Sequence, residues 1–155
     1  MFDKIGDMPL HPLVVHAAVV GIPLATLLAI LFAIPRTRNW ARWPLALTAV
    51  GALAASLVSR ASGEAFQEAR NIRPGNPVGD LIAVHSQLAG QLVIIMIIFA
   101  VVAVANVIVV NRTRRGPVAA VFVLALLTVA IVALVWVVRV GDIGSRAVWN
   151  PAGQG

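Results

Sequence analysis

"LIAVHSQLAGQLVIIMIIFAVVAVANVIVV", Leu81 to Val110, runs for 30 residues without an acid, a lysine or an arginine. A hydrocarbon layer about 30 Å thick needs about 20 apolar residues at 1.5 Å per residue. The stretch is therefore long enough to cross a bilayer and to tilt or project beyond it. Its polar side chains are gathered at the front, at His85, Ser86, Gln87 and Gln91; beyond Leu92 only Asn106 interrupts the apolar run. Met96 lies eleven positions from His85, close to a whole number of turns, so the two share a face.

Working outward, three more stretches have the same character. The spacing predicts spans over about 12–34, 43–62, 81–110 and 117–139 within a single integral-membrane domain, 1–155. Pro12 suits a first helical position, where its missing N–H is no loss. The second span is the shortest in strictly apolar terms and continues through the small residues of "SRASG". Composition agrees, with 60% of residues hydrophobic and 12% charged, about half the charge of an ordinary soluble domain. The expected fold is all-α: a four-helix transmembrane bundle made of two helical hairpins.

The net charge is +6, and its distribution tells what it is for. Arg36, Arg38 and Arg42 lie in the first short connection, Arg112, Arg114 and Arg115 in the third, with no acid in either. All six acids, Asp3, Asp7, Glu64, Glu68, Asp80 and Asp142, belong to the opposite side and are balanced there by Lys4, Arg60, Arg70, Arg73, Arg139 and Arg146. The positive-inside rule puts the arginine loops in the cytoplasm and both termini outside. Trp40, Trp43 and Trp149 fall at interfacial positions. The basic balance is thus a topology signal and not a nucleic-acid footprint.

There are no cysteines, which excludes disulfides, thiolate zinc, iron–sulfur clusters, haem attachment through Cys and a Cys nucleophile. No HExxH, phosphate loop or nucleophile elbow is present. What remains is histidine. The two halves resemble each other: a histidine-bearing span, an arginine loop, a returning span, then a glycine-containing motif, "SGEAF" at 62–66 and "GSRAVW" at 144–149. With His11 and Asp80 as helix caps, His16 and His85 each stand five residues further on, about 7.5 Å deeper, at one depth near the outer leaflet. Intramembrane ionisable groups usually face the bundle interior, and two neutral imidazoles on facing helices form an axial pair for b-type haem.

The residue pattern thus points to His16 and His85 as haem-iron ligands, with Arg60 and Arg139 pairing with the propionates. The alternatives are interhelical hydrogen bonding for the histidines and snorkelling for the arginines. His11 beside Pro12 is read as a helix start at the interface, and Met96 as core filler.

The opening "HPLVVH", the "VHSQLAGQ" of the third span, and the endings "SGEA" and "VRVGDIGSRAVW" resemble a bacterial family of small four-helix membrane proteins, domain of unknown function 2231. The resemblance covers about 10–149. Relatives joined to Rieske-type redox domains imply electron transfer by association, but a family of unknown function carries over no catalytic residue. Relatives often read Gly-His-Ser-Gly near the end of the fourth span, where this chain has Gly141, Asp142, Ile143 and Gly144.

The expectation is a module of the bacterial plasma membrane. It would hold haem b near the outer leaflet and relay electrons between quinone and an extracytoplasmic redox protein. The alternative is a structural or assembly subunit of a larger membrane complex, without a cofactor of its own.

Overall fold

The computed structural model describes residues 4–5, 8–113 and 116–149. Four long helices make up almost all of it: α1 (Leu10–Ala33), α2 (Arg38–Ala69), α3 (Pro77–Thr113) and α4 (Pro117–Trp149). Ahead of them two short strands, β1 (Lys4–Ile5) and β2 (Met8–Pro9), pair antiparallel. All four helices are long and apolar enough to cross a membrane, so the chain is a multi-pass membrane protein whose outer surface belongs to lipid. They pack as a closed ring, α1 on α2, α2 on α3, α3 on α4 and α4 on α1. Two hairpins thus lie side by side, with both arginine loops at one end of the bundle.

The helices outrun the apolar stretches, and local signals say why. α2 continues to Ala69, past the expected end at 62, because the stop signal is Asn71. That residue takes the left-handed conformation (φ 50°). The Asn71 N–H donates to the Glu68 carbonyl and the Ile72 N–H to the Gln67 carbonyl, both at 3.1 Å, the pair of bonds that closes a Schellman end. α3 starts at Pro77, ahead of the expected cap Asp80. Asn76 is the cap: its Oδ1 accepts from the Gly79 N–H at 2.9 Å, and Pro77 takes the position that needs no donor. Asp80 instead accepts the Gly75 N–H at 2.9 Å. Gly79 is obligatory, since any side chain there would collide with the Arg73 carbonyl. α4 runs ten residues past the expected 139, carrying its charges on i,i+4 pairs such as Arg146–Asp142.

Small residues let the helices close on one another. Ala41, Ala46, Ala49 and Ala52 of α2 meet Ile22, Ala25, Ala29 and Phe32 of α1, while Ala103 of α3 and Ala130 and Ala133 of α4 extend the seam. Close approach of small side chains is how helices associate when lipid is as apolar as the core. Large apolar side chains such as Leu47 and Leu124 face outward. Two polar side chains cross the interior. The Thr26 hydroxyl lies 3.0 Å from the Ile22 carbonyl and 3.2 Å from that of Ala130 on α4. The Asn106 amide donates to the Val102 and Phe122 carbonyls, each at 2.9 Å.

At the arginine end, Arg38 folds back on the last turn of α1. It donates to the Phe32 and Ala33 carbonyls, both at 3.1 Å, and so satisfies groups the helix end leaves open. The side chain of Arg112 and the whole of Arg114 and Arg115 lie outside the described residues, as do Asp3 and Asp7.

Candidate functional site

The apolar run of α2 ends at Val58 and that of α4 at Val138, and above these levels the bundle holds a cavity of about 770 Å³ lined by all four helices. Its floor is Leu92 of α3 and Val137 of α4, both buried. All three histidines line it, but they are not built alike.

In the first hairpin, His11 of α1 turns its ring onto α2. Its Nδ1 lies 3.0 Å from the Ser59 carbonyl oxygen and 3.1 Å from Ser62 Oγ. The Ser62 hydroxyl itself donates to the same Ser59 carbonyl at 3.0 Å. With that proton committed, both oxygens act as acceptors toward the imidazole, so Nδ1 carries the hydrogen. In the second hairpin, His85 of α3 places Nδ1 3.0 Å from the Val140 carbonyl oxygen on α4. A carbonyl only accepts, so Nδ1 is again the donor. Both rings are thereby held in the tautomer that leaves Nε2 with its lone pair.

The glycines complete the symmetry. A β-carbon on Gly63 would lie 3.0 Å from His11 Cε1, and one on Gly144 would lie 3.0 Å from both Cε1 and Nδ1 of His85. Each imidazole therefore lies against bare helix backbone. Its partner carbonyl comes four residues before the glycine in each case, Ser59 before Gly63 and Val140 before Gly144. The internal repeat is real, but its register pairs His11 with His85. His16 is one and a half turns further along α1; it is exposed and still lines the cavity. The sequence signal for this register was present: a histidine on one helix of each hairpin and a Ser/Val-x3-Gly on the other.

A family model for a predicted membrane protein, DUF2231, matches residues 7–153. The chain belongs to the DUF2231 family. No curated protein and no solved structure matches it.

Within this DUF2231 bundle the arginines part company. Arg60 lines the cavity and bonds to Glu64 Oε1 at 2.9 Å. Its Nη1 would be 3.2 Å from a β-carbon on Gly90, so the guanidinium crosses from α2 onto the bare backbone of α3. Arg139 does not line the cavity; it sits over the Trp136 ring, 5.3 Å from the centroid. Met96 is fully buried in the core beneath the cavity. Asp142 and Arg146 pair with each other at 3.0 Å.

Burial pushes the His11 imidazole below the usual 6.5, the hydrogen bond to Ser59 partly opposes this, and the nearby His85 adds a little to the lowering. Among the described residues no group of three or more His, Cys, Asp or Glu converges. The two imidazoles held by backbone carbonyls come from opposite hairpins.

Proposed function

We propose that this protein is a membrane redox module that holds b-type haem between His11 and His85 and relays electrons between membrane quinone and an extracytoplasmic partner. The observation that carries this is the matched pair of imidazoles. Both are fixed as Nδ1–H tautomers by backbone carbonyls, and both leave Nε2 as the available donor atom in one shared cavity. A second hydrogen bond that sets tautomer and ring orientation is the usual support of a metal-bound histidine. The donor set fits haem, which needs two axial nitrogens and no thiolate. The cavity volume lies in the range of cofactor and ligand sites.

The residues then divide the work. His11 and His85 would hold the iron, His11 taking the place expected of His16. Arg60 is the cation placed to pair with a propionate, whereas Arg139 is engaged with Trp136 away from the cavity. When bound, haem supplies one-electron chemistry, with the axial pair and the surrounding dielectric as the protein's means of setting its potential. Gly63 and Gly144 leave the room that lets the two rings approach the neighbouring helices this closely. The positive-inside rule places this end outside a bacterial plasma membrane.

Absorbance with and without dithionite tests the reading. A Soret band that shifts on reduction is expected, lost in His11→Ala and in His85→Ala and retained in His16→Ala. A colourless, folded preparation from haem-replete cells would sink it. Labelling of single cysteines at 111 and 153 checks orientation; cytoplasmic protection of the second would reverse the topology.

A further inference from the structure

The arginine end of the bundle holds a cation that the fold leaves without an anion. Arg38 is committed to the last carbonyls of α1. Arg42, one turn further along α2, is placed differently. Its Nε is buried and has no acceptor, and among the described residues its Nη1 and Nη2, which are not buried, have none either. A guanidinium carries five N–H donors, and a buried donor is ordinarily satisfied. The partner that satisfies this one is not in the fold.

Nor has the chain a carboxylate to offer. No acid occurs between Asp7 and Glu64 or between Asp80 and Asp142. Both arginine connections fall inside those intervals, so an apolar span stands between Arg42 and every acidic side chain, on the order of the 30 Å hydrocarbon layer. Arg36, in the loop before α2, is exposed and has no ion pair among the described residues. Positive charge at this end is therefore uncompensated from within.

The neighbour of Arg42 shows where its head group lies. Arg42 Cζ is 5.7 Å from the centroid of the Trp43 ring, within reach of a cation–π contact. Trp43 and Trp40 are both exposed, and they stand where the apolar run of α2 begins, the level at which indoles settle among lipid headgroups. A guanidinium resting on Trp43 is thus at the bundle surface, in the layer of the lipid phosphates. The planar fork matches two oxygens of a phosphodiester.

We propose that Arg42, seated on Trp43, binds the phosphate of an anionic phospholipid in the leaflet at the arginine end. The site is independent of the haem reading. A basic end with no acid of its own favours a headgroup of net negative charge over a zwitterionic one. The other end supplies the contrast. There Arg139 rests on Trp136 in the same manner, 5.3 Å from the ring centroid, but the acids and cations of that end balance.

Native mass spectrometry of the purified full-length protein in detergent, titrated with phosphatidylglycerol or with phosphatidylcholine of the same acyl chains, tests the site. Wild type is expected to bind one phosphatidylglycerol about fivefold more tightly than phosphatidylcholine, the contribution of one basic side chain at an anionic headgroup. Arg42→Gln is expected to lose that preference and Arg139→Gln to keep it. Trp43→Leu, at an exposed position, is expected to lose part of it, and carries the test if Arg42→Gln does not fold. Equal affinity for the two lipids in wild type overturns the proposal. So does a preference that survives in Arg42→Gln, is unchanged in Trp43→Leu, or is lost equally in Arg139→Gln. Displacement of the bound phosphatidylglycerol by excess inorganic phosphate would assign the site to a free anion and overturn the lipid. The Soret band is recorded on the same preparations and is expected to be unchanged in Arg42→Gln, so the two sites stand or fall separately.

Discussion

In the first hairpin two oxygens face the imidazole, the Ser59 carbonyl and the Ser62 hydroxyl; in the second, His85 has the Val140 carbonyl alone. The glycine beneath each ring differs in the opposite sense. Gly63 would bring a β-carbon to 3.0 Å from one ring atom and 3.4 Å from the next, whereas Gly144 would bring it to 3.0 Å from two. The shared element is a carbonyl one turn before a bare backbone position, and the serine is an addition. Where hydrogen bonding is poorer, steric fit is tighter. The second hairpin should therefore be the more fragile holder of its histidine.

The largest expected effect follows from that fit. Replacing a helical glycine by alanine ordinarily gains about 0.5–1 kcal/mol through backbone entropy. Overpacking against a fixed ring costs about 1–3 kcal/mol. Gly144→Ala should therefore destabilise by about 1–2 kcal/mol, Gly63→Ala by less, and Gly141→Ala should be neutral or slightly stabilising. Thermal midpoints in one detergent give the order. If Gly63→Ala is as damaging as Gly144→Ala, the claimed difference between the hairpins is wrong.

The next effect is a pH dependence arising at His11. Burial lowers the His11 pKa below 6.5, so the native protein takes up a proton at this site less readily than the unfolded chain. In the haem-free protein, where this nitrogen is not committed to a metal, stability is then level above pH 6.5 and falls as pH drops through that value, until the folded state also titrates. His11→Asn keeps a donor for Ser59 and removes the titration, so its midpoint should lose most of this slope between pH 7 and 5. A slope that survives in His11→Asn would assign the titration elsewhere.

Much of this architecture was legible. Span count, the two-hairpin arrangement and the arginine end follow from apolar runs of about 20 residues and from where charges are missing. The repeat was legible too, but its register was not. Counting depth from His11 and Asp80 as caps pairs His16 with His85. Asn76 holds the Gly79 N–H and starts α3 earlier, so helix starts are no guide to equivalent levels. The decisive facts are contacts between helices, a ring on a glycine one hairpin arm away, and periodicity along a single helix carries no information about them. The same holds for Arg60, whose approach to Gly90 joins residues on different hairpins, and for Arg139, which looks equivalent in the sequence and is drawn off by Trp136.

A smaller effect separates a bond that ties the hairpins together from one that does not. Thr26 reaches the Ala130 carbonyl across the α1–α4 seam, whereas Thr128, exposed on α4, reaches only the Leu124 carbonyl of its own helix. Interhelical hydrogen bonds in membranes average about 0.6 kcal/mol. Thr26→Val should lose about that much, and Thr128→Val close to nothing. Equal midpoints for the two would mean that the hairpins are held by packing alone.

The smallest effect is the most direct trial of the comparison, because Ser62→Ala turns the first unit into a copy of the second. Ser62 is buried, and its hydroxyl sits between the imidazole and the Ser59 carbonyl. Removing it strands neither partner, since His11 Nδ1 still donates to that carbonyl at 3.0 Å. The penalty of an unsatisfied buried group is therefore absent, and a loss of about 0.5 kcal/mol or less is expected. The Nδ1–H tautomer, which the carbonyl alone enforces at His85, should persist at His11, and with it the Soret band. If Ser62→Ala abolishes that band while the midpoint barely moves, the hydroxyl is the true holder of His11. The hairpins would then position their histidines by two different means.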